Sequence, residues 1–87
     1  RSNVNYSIRI RASAAQDLTR INKPDRQRIA AAIDALGGQP HKGSQLKGDL
    51  RGLRRIRVGD YRIVYEVLDH ELIVLIIRVS RRREGYR

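Results

Sequence analysis

The sequence predicts a small α+β domain of order β-α-α-β-β-β, with two N-terminal helices packed on one face of a mainly antiparallel twisted sheet. Three observations predict it. An alternating segment opens the chain at residues 4–11, two stretches of helical periodicity follow up to Leu36, and three strand-like segments with very short connections close it. The 87 residues suffice for a single domain, 1–87, and are too few for two. A chain of that size buries only about 60–65% of its unfolded surface, so one continuous core must serve it.

The first strand alternates Val4, Tyr6, Ile8 and Ile10 against Asn5, Ser7, Arg9 and Arg11, the pattern of a half-buried strand. Ser13 and Gln16 are spaced as a capping box at the start of a short helix whose apolar face carries Leu18 and Ile21. Pro24 suits the first turn of a second helix, in which Ile29, Ile33 and Leu36 recur at helical spacing among alanines, and Gly37-Gly38 ends it. A loop follows, with Leu46 and Leu50 as its apolar anchors. The last three strands are expected at 53–58, 61–68 and 72–79, joined by connections of two and three residues into an antiparallel meander. The final segment, Leu-Ile-Val-Leu-Ile-Ile-Arg-Val, is apolar without alternation, which predicts a central strand covered on both faces. The sheet face away from the helices is expected to be open.

Charge is the strongest compositional signal. Nineteen Lys and Arg against nine Asp and Glu give a net charge of +10, and sixteen of the nineteen cations are arginine. Arginine adds a planar fork that grips phosphate or carboxylate with two bonds and stacks on bases. The balance points to nucleic acid or to a strongly acidic protein partner. The apolar fraction of 40% argues against disorder. No apolar run approaches the length of a membrane helix, no secretory leader is legible, and the first residue is Arg1 rather than Met. With no cysteine and two distant histidines, His41 and His70, neither a metal site nor a cofactor is expected, nor a catalytic role for either histidine. A cytoplasmic location is the natural expectation.

The segment Leu-Arg-Arg-Ile-Arg-Val-Gly-Asp-Tyr-Arg-Ile-Val-Tyr, residues 53–65, carries the functional signal. Gly59-Asp60 is a good two-residue hairpin turn, and it sets Val58 against Tyr61, Arg57 against Arg62, Ile56 against Ile63 and Arg55 against Val64. One face then reads Ile56, Val58, Tyr61, Ile63, Tyr65 and Val67, and the other Arg55, Arg57, Arg62 and Val64. Directly opposed like charges destabilise a sheet. Glu66 is the single acid near them and is outnumbered, whereas a phosphate bridging the guanidinium groups turns repulsion into charge-assisted bonds. The basic tail, Ser80 to Arg87, is expected to emerge beside this cluster and to bring Arg81, Arg82 or Arg83 and the phenol of Tyr86 toward it.

The block Arg-x-Gly-Asp-Tyr-Arg followed by two apolar residues and Tyr65, together with the terminal Arg-Arg-x-x-x-Tyr-Arg, resembles the RelE/ParE superfamily of bacterial and archaeal toxins along essentially the whole chain. The sequence looks most like the RelE branch, whose toxins cleave messenger RNA in the ribosomal A site and are held inactive by a wrapping antitoxin. The resemblance implies that the basic pair before the hairpin falls on Arg55 and Arg57, the phosphate-holding arginine on Arg62, the arginine of the last strand's exit on Arg82 and the near-terminal tyrosine on Tyr86. Arg57, Arg62, Arg82 and Tyr86 are therefore the candidate catalytic residues, and Arg54, Arg55, Arg81, Arg83 and Lys47 the candidate RNA contacts. Some relatives carry lysines at the first pair, and many read Gly-His-Arg where this chain has Ser80-Arg81-Arg82.

Those departures bear on mechanism. Guanidinium groups stabilise a developing phosphorane well but hardly ever surrender a proton, so Tyr86 is left as the residue with a plausible acid–base range. Implied partners are messenger RNA with the ribosomal A site, and an acidic RelB-like antitoxin forming a toxin–antitoxin hetero-oligomer. Two other functions are compatible with the residues: a ParE-type inhibitor of DNA gyrase, and an RNA-binding relative without catalysis.

Overall fold

A computed structural model describes residues 5–48 and 52–81. Along the chain run β1 (Ser7–Ile10), α1 (Ala12–Thr19), α2 (Lys23–Leu36), β2 (Ser44–Gln45), β3 (Leu53–Val58), β4 (Tyr61–Leu68) and β5 (Ile73–Arg81). They form one sheet of order β1-β5-β4-β3-β2, antiparallel except where β1 runs parallel to β5. The two helices and the antiparallel meander are as expected; the two-residue β2, pairing Ser44 with Arg55 and Gln45 with Arg54, is an addition within the anticipated loop.

The core lies between the helices and one sheet face. Ala14 of α1, Ile21, and Ile29, Ile33 and Leu36 of α2 bury against Tyr61, Ile63 and Tyr65 of β4 and Val74, Ile76 and Val79 of β5. Asn22 caps α2 by accepting from the Asp25 N–H at 3.0 Å, with Pro24 in the first turn.

Helix α1 corrects the capping-box expectation. Arg11 is its N-cap, with no side-chain bond, and the Ser13 hydroxyl instead donates to the Ile77 carbonyl at 2.7 Å. The reason is the sheet edge. β1 ends at Ile10, opposite Ile76, and β5 continues beyond it. There α1 takes over: Asp17 Oδ2 accepts from the Val79 N–H and from Arg78 Nε, both at 2.9 Å. That hydrogen bonding holds the Arg78 guanidinium more firmly protonated than usual. Side chains of a helix thus satisfy edge groups that a strand would otherwise pair.

β5 is an inner strand, between β1 and β4, as its apolar run suggests, but its second face is only half-buried. A bulge accounts for the run. Val64 pairs with Arg78 and Tyr65 with Ile76, so Ile77 is an extra residue that reverses the alternation. Val74 and Ile76 face the core before it and Val79 after it, while Ile73, Leu75 and Ile77 are half-buried. The β4–β5 turn also spans four residues rather than three, because Leu72 adopts φ +57° and leaves the strand.

Two clusters anchor the loops. Gly43 N–H donates to the buried Tyr65 hydroxyl at 2.9 Å, and Arg54 Nη1 donates to the carbonyls of Gly43 at 2.7 Å and His41 at 3.2 Å. Burial pushes the Tyr65 phenol up from its ordinary pKa, against the opposing pull of the Gly43 N–H and Arg54. At the end of the sheet away from the β3–β4 hairpin, the Tyr6 hydroxyl donates to Asp69 Oδ1 at 2.8 Å, and His41 Nε2 lies 3.1 Å from the same oxygen. The Tyr6 hydrogen bond, with help from His41 and His70, holds the Asp69 carboxyl below its usual 3.8.

A Cβ on Gly43 would stand 2.6 Å from the Arg55 carbonyl oxygen and 2.7 Å from the Tyr65 hydroxyl, both in fixed surroundings. Gly43→Ala is therefore expected to cost about 1–3 kcal/mol in urea unfolding. Because Asp69 titrates lower when folded than when unfolded, its contribution is complete above the unfolded value near 3.8 and is lost as the pH falls through the folded one. Asp69→Asn is expected to destabilise at neutral pH, with the gap to the parent protein closing in acid below that value.

Candidate nucleic-acid interface

The hairpin register is the expected one. Gly59 turns at φ +58°, and Val58 pairs with Tyr61, Arg57 with Arg62, Ile56 with Ile63 and Arg55 with Val64. Arg55, Arg57 and Arg62 therefore project from the sheet face opposite the helices. On β5 the same face carries Ser80 across from Arg62 and Arg78 across from Val64.

The pair is not symmetric. Arg57 is exposed, whereas Arg62 is only 5% exposed, with its Nε and Nη1 cut off from water. The expectation of a fully open face therefore fails at Arg62 and holds at Arg57. Burial limits the rotamers of Arg62 and strengthens its field at short range; exposure leaves Arg57 free to meet a ligand. Among the described residues, no carboxylate forms an ion pair with Arg57; the ion pairs join Arg28 to Asp25 and Arg78 to Asp17. Glu66 sits farther along β4, between Leu53 and Leu75.

The other candidates separate into three groups. Arg55 is half-buried beside the pair, and Lys47 is exposed just past β2. Arg54 and Arg81 lie on the helix side of the sheet by register: Arg54 braces the 41–43 loop, and the Arg81 guanidinium sits 5.6 Å from the centre of the Tyr61 ring. Arg82, Arg83 and Tyr86 lie outside the described residues, as do Val4 of the first strand and Leu50 of the loop. His41 and His70 stand the length of β4 away from the arginine pair, so they bring no proton-transfer group to it. No three His, Asp or Glu side chains among the described residues converge as metal ligands.

Sequence reading missed Lys42. It lines a groove of about 530 Å³ with Arg55, Arg57, Ile56 and Val58 of β3 and with Ala32, Ala35 and Leu36 of α2. Nothing in its Lys-Gly-Ser setting marks it, because its place depends on the Tyr65 and Arg54 bonds to Gly43. Arg28 was also passed over: its guanidinium packs against Gly59, where an added Cβ would stand 3.2 Å from Nη2.

Comparison with known proteins matches this geometry to a family. The family profile of the ParE toxin of type II toxin–antitoxin systems matches residues 8–86. The chain is 41% identical over 88 residues to Toxin RelE of Mycobacterium tuberculosis, covering 94% of this chain and 87% of that protein. In structure it resembles a chain of the toxin–antitoxin complex RelBE2 from the same organism, with a TM-score of 0.87 at 28% identity and coverage of 93% and 95%. A chain of the archaeal RelE–RelB complex from Pyrococcus horikoshii superposes with a TM-score of 0.75 at 25% identity, covering 93% of this chain and 99% of that one. With a family profile spanning nearly the whole chain and a RelE toxin at 41% identity, the protein belongs to the RelE/ParE superfamily of type II toxins.

Proposed function

We propose that this protein is a RelE-type toxin that arrests translation by cutting messenger RNA in the ribosomal A site and is held in check by an acidic antitoxin. The observation that carries the reading is the Arg57–Arg62 pair, set face to face across the hairpin with one guanidinium buried and the other exposed.

Cleavage requires a ribose 2′-hydroxyl to lose its proton and attack the adjacent phosphorus, while the 5′-oxygen of the next nucleotide leaves and takes up a proton. Negative charge accumulates on the phosphoryl oxygens between these events. Arg62, restrained by its surroundings, supplies preorganised positive charge there, and Arg57 captures the phosphate from solvent. Arg55 and Lys47 extend the grip along the backbone. Arg82 and Tyr86 complete the proposed site, with Tyr86 serving proton transfer and the ribosome imposing substrate geometry. Chemistry on the ribosome places the protein in the cytoplasm.

An antitoxin partner is supported by the relatives, two of which are chains of RelB–RelE-type complexes, and by the net charge of +10. The match to a ParE profile favours a second reading, inhibition of DNA gyrase, which a supercoiling assay beside RNA-end mapping separates.

Arg57→Ala is the clean test, because an exposed side chain leaves no cavity, whereas Arg62→Ala also removes buried packing. Arg57→Ala is expected to abolish growth arrest and the new messenger RNA ends seen on induction, with its melting temperature close to the parent's; undiminished cutting refutes the reading. Inorganic phosphate at constant ionic strength is also expected to stabilise the parent, by about 1.4 kcal/mol at tenfold excess over its dissociation constant. Arg57→Ala is expected to lose that gain.

A further inference from the structure

The groove beside Arg57 is not used by the phosphate clasp. One wall is α2, presenting Ala32, Ala35 and Leu36; the other is β3 from Arg55 to Val58; Lys42, Gly43 and Ser44 close one end. β2 pairs only with Arg54 and Arg55, so beyond Arg55 the outer side of β3 faces this groove with no strand on it among the described residues. Small alanines leave a flat apolar wall, strand-edge backbone groups supply donors and acceptors, and three cations stand among the described lining residues, which include no carboxylate.

We propose that this groove is a nucleotide subsite. It takes the base next to the phosphate gripped by Arg57, lays its apolar face on Ala32 and Ala35, and puts Lys42 on the following phosphate. This deepens the RNA reading and rests on it. Three features favour single-stranded RNA over a peptide. Arg55 and Arg57 belong both to the clasp and to the groove, so a strand held at one runs into the other. The volume of about 530 Å³ is that of a small-molecule site. A flat apolar wall beside cations matches a base joined to phosphates. The strand edge of β3 then reads one base by hydrogen bonding, and the groove becomes a source of sequence preference.

The test uses a single-stranded hexaribonucleotide carrying 2′-O-methyl groups, which has no attacking hydroxyl, and its binding to the purified protein by fluorescence anisotropy. Ala35 is exposed on α2, so Ala35→Trp fills the groove from outside the core; Lys42→Glu, on an exposed loop residue, provides a second variant if the first misfolds. Each is expected to weaken hexamer binding about tenfold, the loss of one stacked base or one phosphate contact. Scanning an abasic position through the hexamer is expected to find one site whose base matters to the parent and no longer matters to Ala35→Trp. If both variants bind like the parent while Arg57→Ala does not, the groove proposal falls and the clasp stands. If the parent does not bind, or Arg57→Ala binds equally well, the clasp falls too. If the variants keep RNA affinity but lose antitoxin, the groove is a peptide site and the proposal is overturned.

Discussion

Everything distinctive about this surface depends on the register of one hairpin. A two-residue turn at Gly59-Asp60 leaves no freedom in how β3 and β4 align, and the apolar residues on the core face, Ile56 and Val58 against Ile63 and Tyr61, hold the same alignment. Slipping by one residue would bury arginines in the core and expose its isoleucines. Arg57 and Arg62 are thus held opposite one another by burial on the other side of the same strands. The hydrophobic effect on one face thus sets two like charges opposite one another on the other face.

The surroundings make the pair unequal. On β4 Arg62 is buried while Val64 and Glu66 on the same face are half-buried, and Arg57 on β3 faces solvent. Two chemically identical side chains therefore stand in different surroundings, one cut off from water and the other exposed. Removal of water around Arg62 strengthens the field of its fixed charge at short range.

Elsewhere the fold turns polar groups into fasteners. Asp17 binds the β5 edge where β1 stops, and the Ile77 bulge re-aims the strand so that Val79 returns to the core and Ser80 comes to lie across from Arg62. Tyr65, fully buried, and Arg54, on the core side of β3, hold the loop that brings Lys42 to the groove. An arginine that looks like one more RNA contact in a basic run is here engaged with two carbonyls, so charge alone does not assign a role.

The local pattern determined the two helices, the three-strand meander, the turn and the arginine pairing, because period, turn chemistry and apolar spacing act over a few residues and agreed with one another. Ser13 illustrates what local pattern misreads: it has the spacing of a cap, yet a sheet edge distant in sequence claims its hydroxyl. The apolar run of β5 concealed a bulge for a similar reason, since a one-residue change of parity is defined only by the partner strand. The burial of Arg62, the bracing role of Arg54 and the arrival of Lys42 beside Arg57 were decided by tertiary structure alone. Each depends on which strand is central and which loop is tied to which side chain, and contacts between residues far apart in sequence leave no periodic trace.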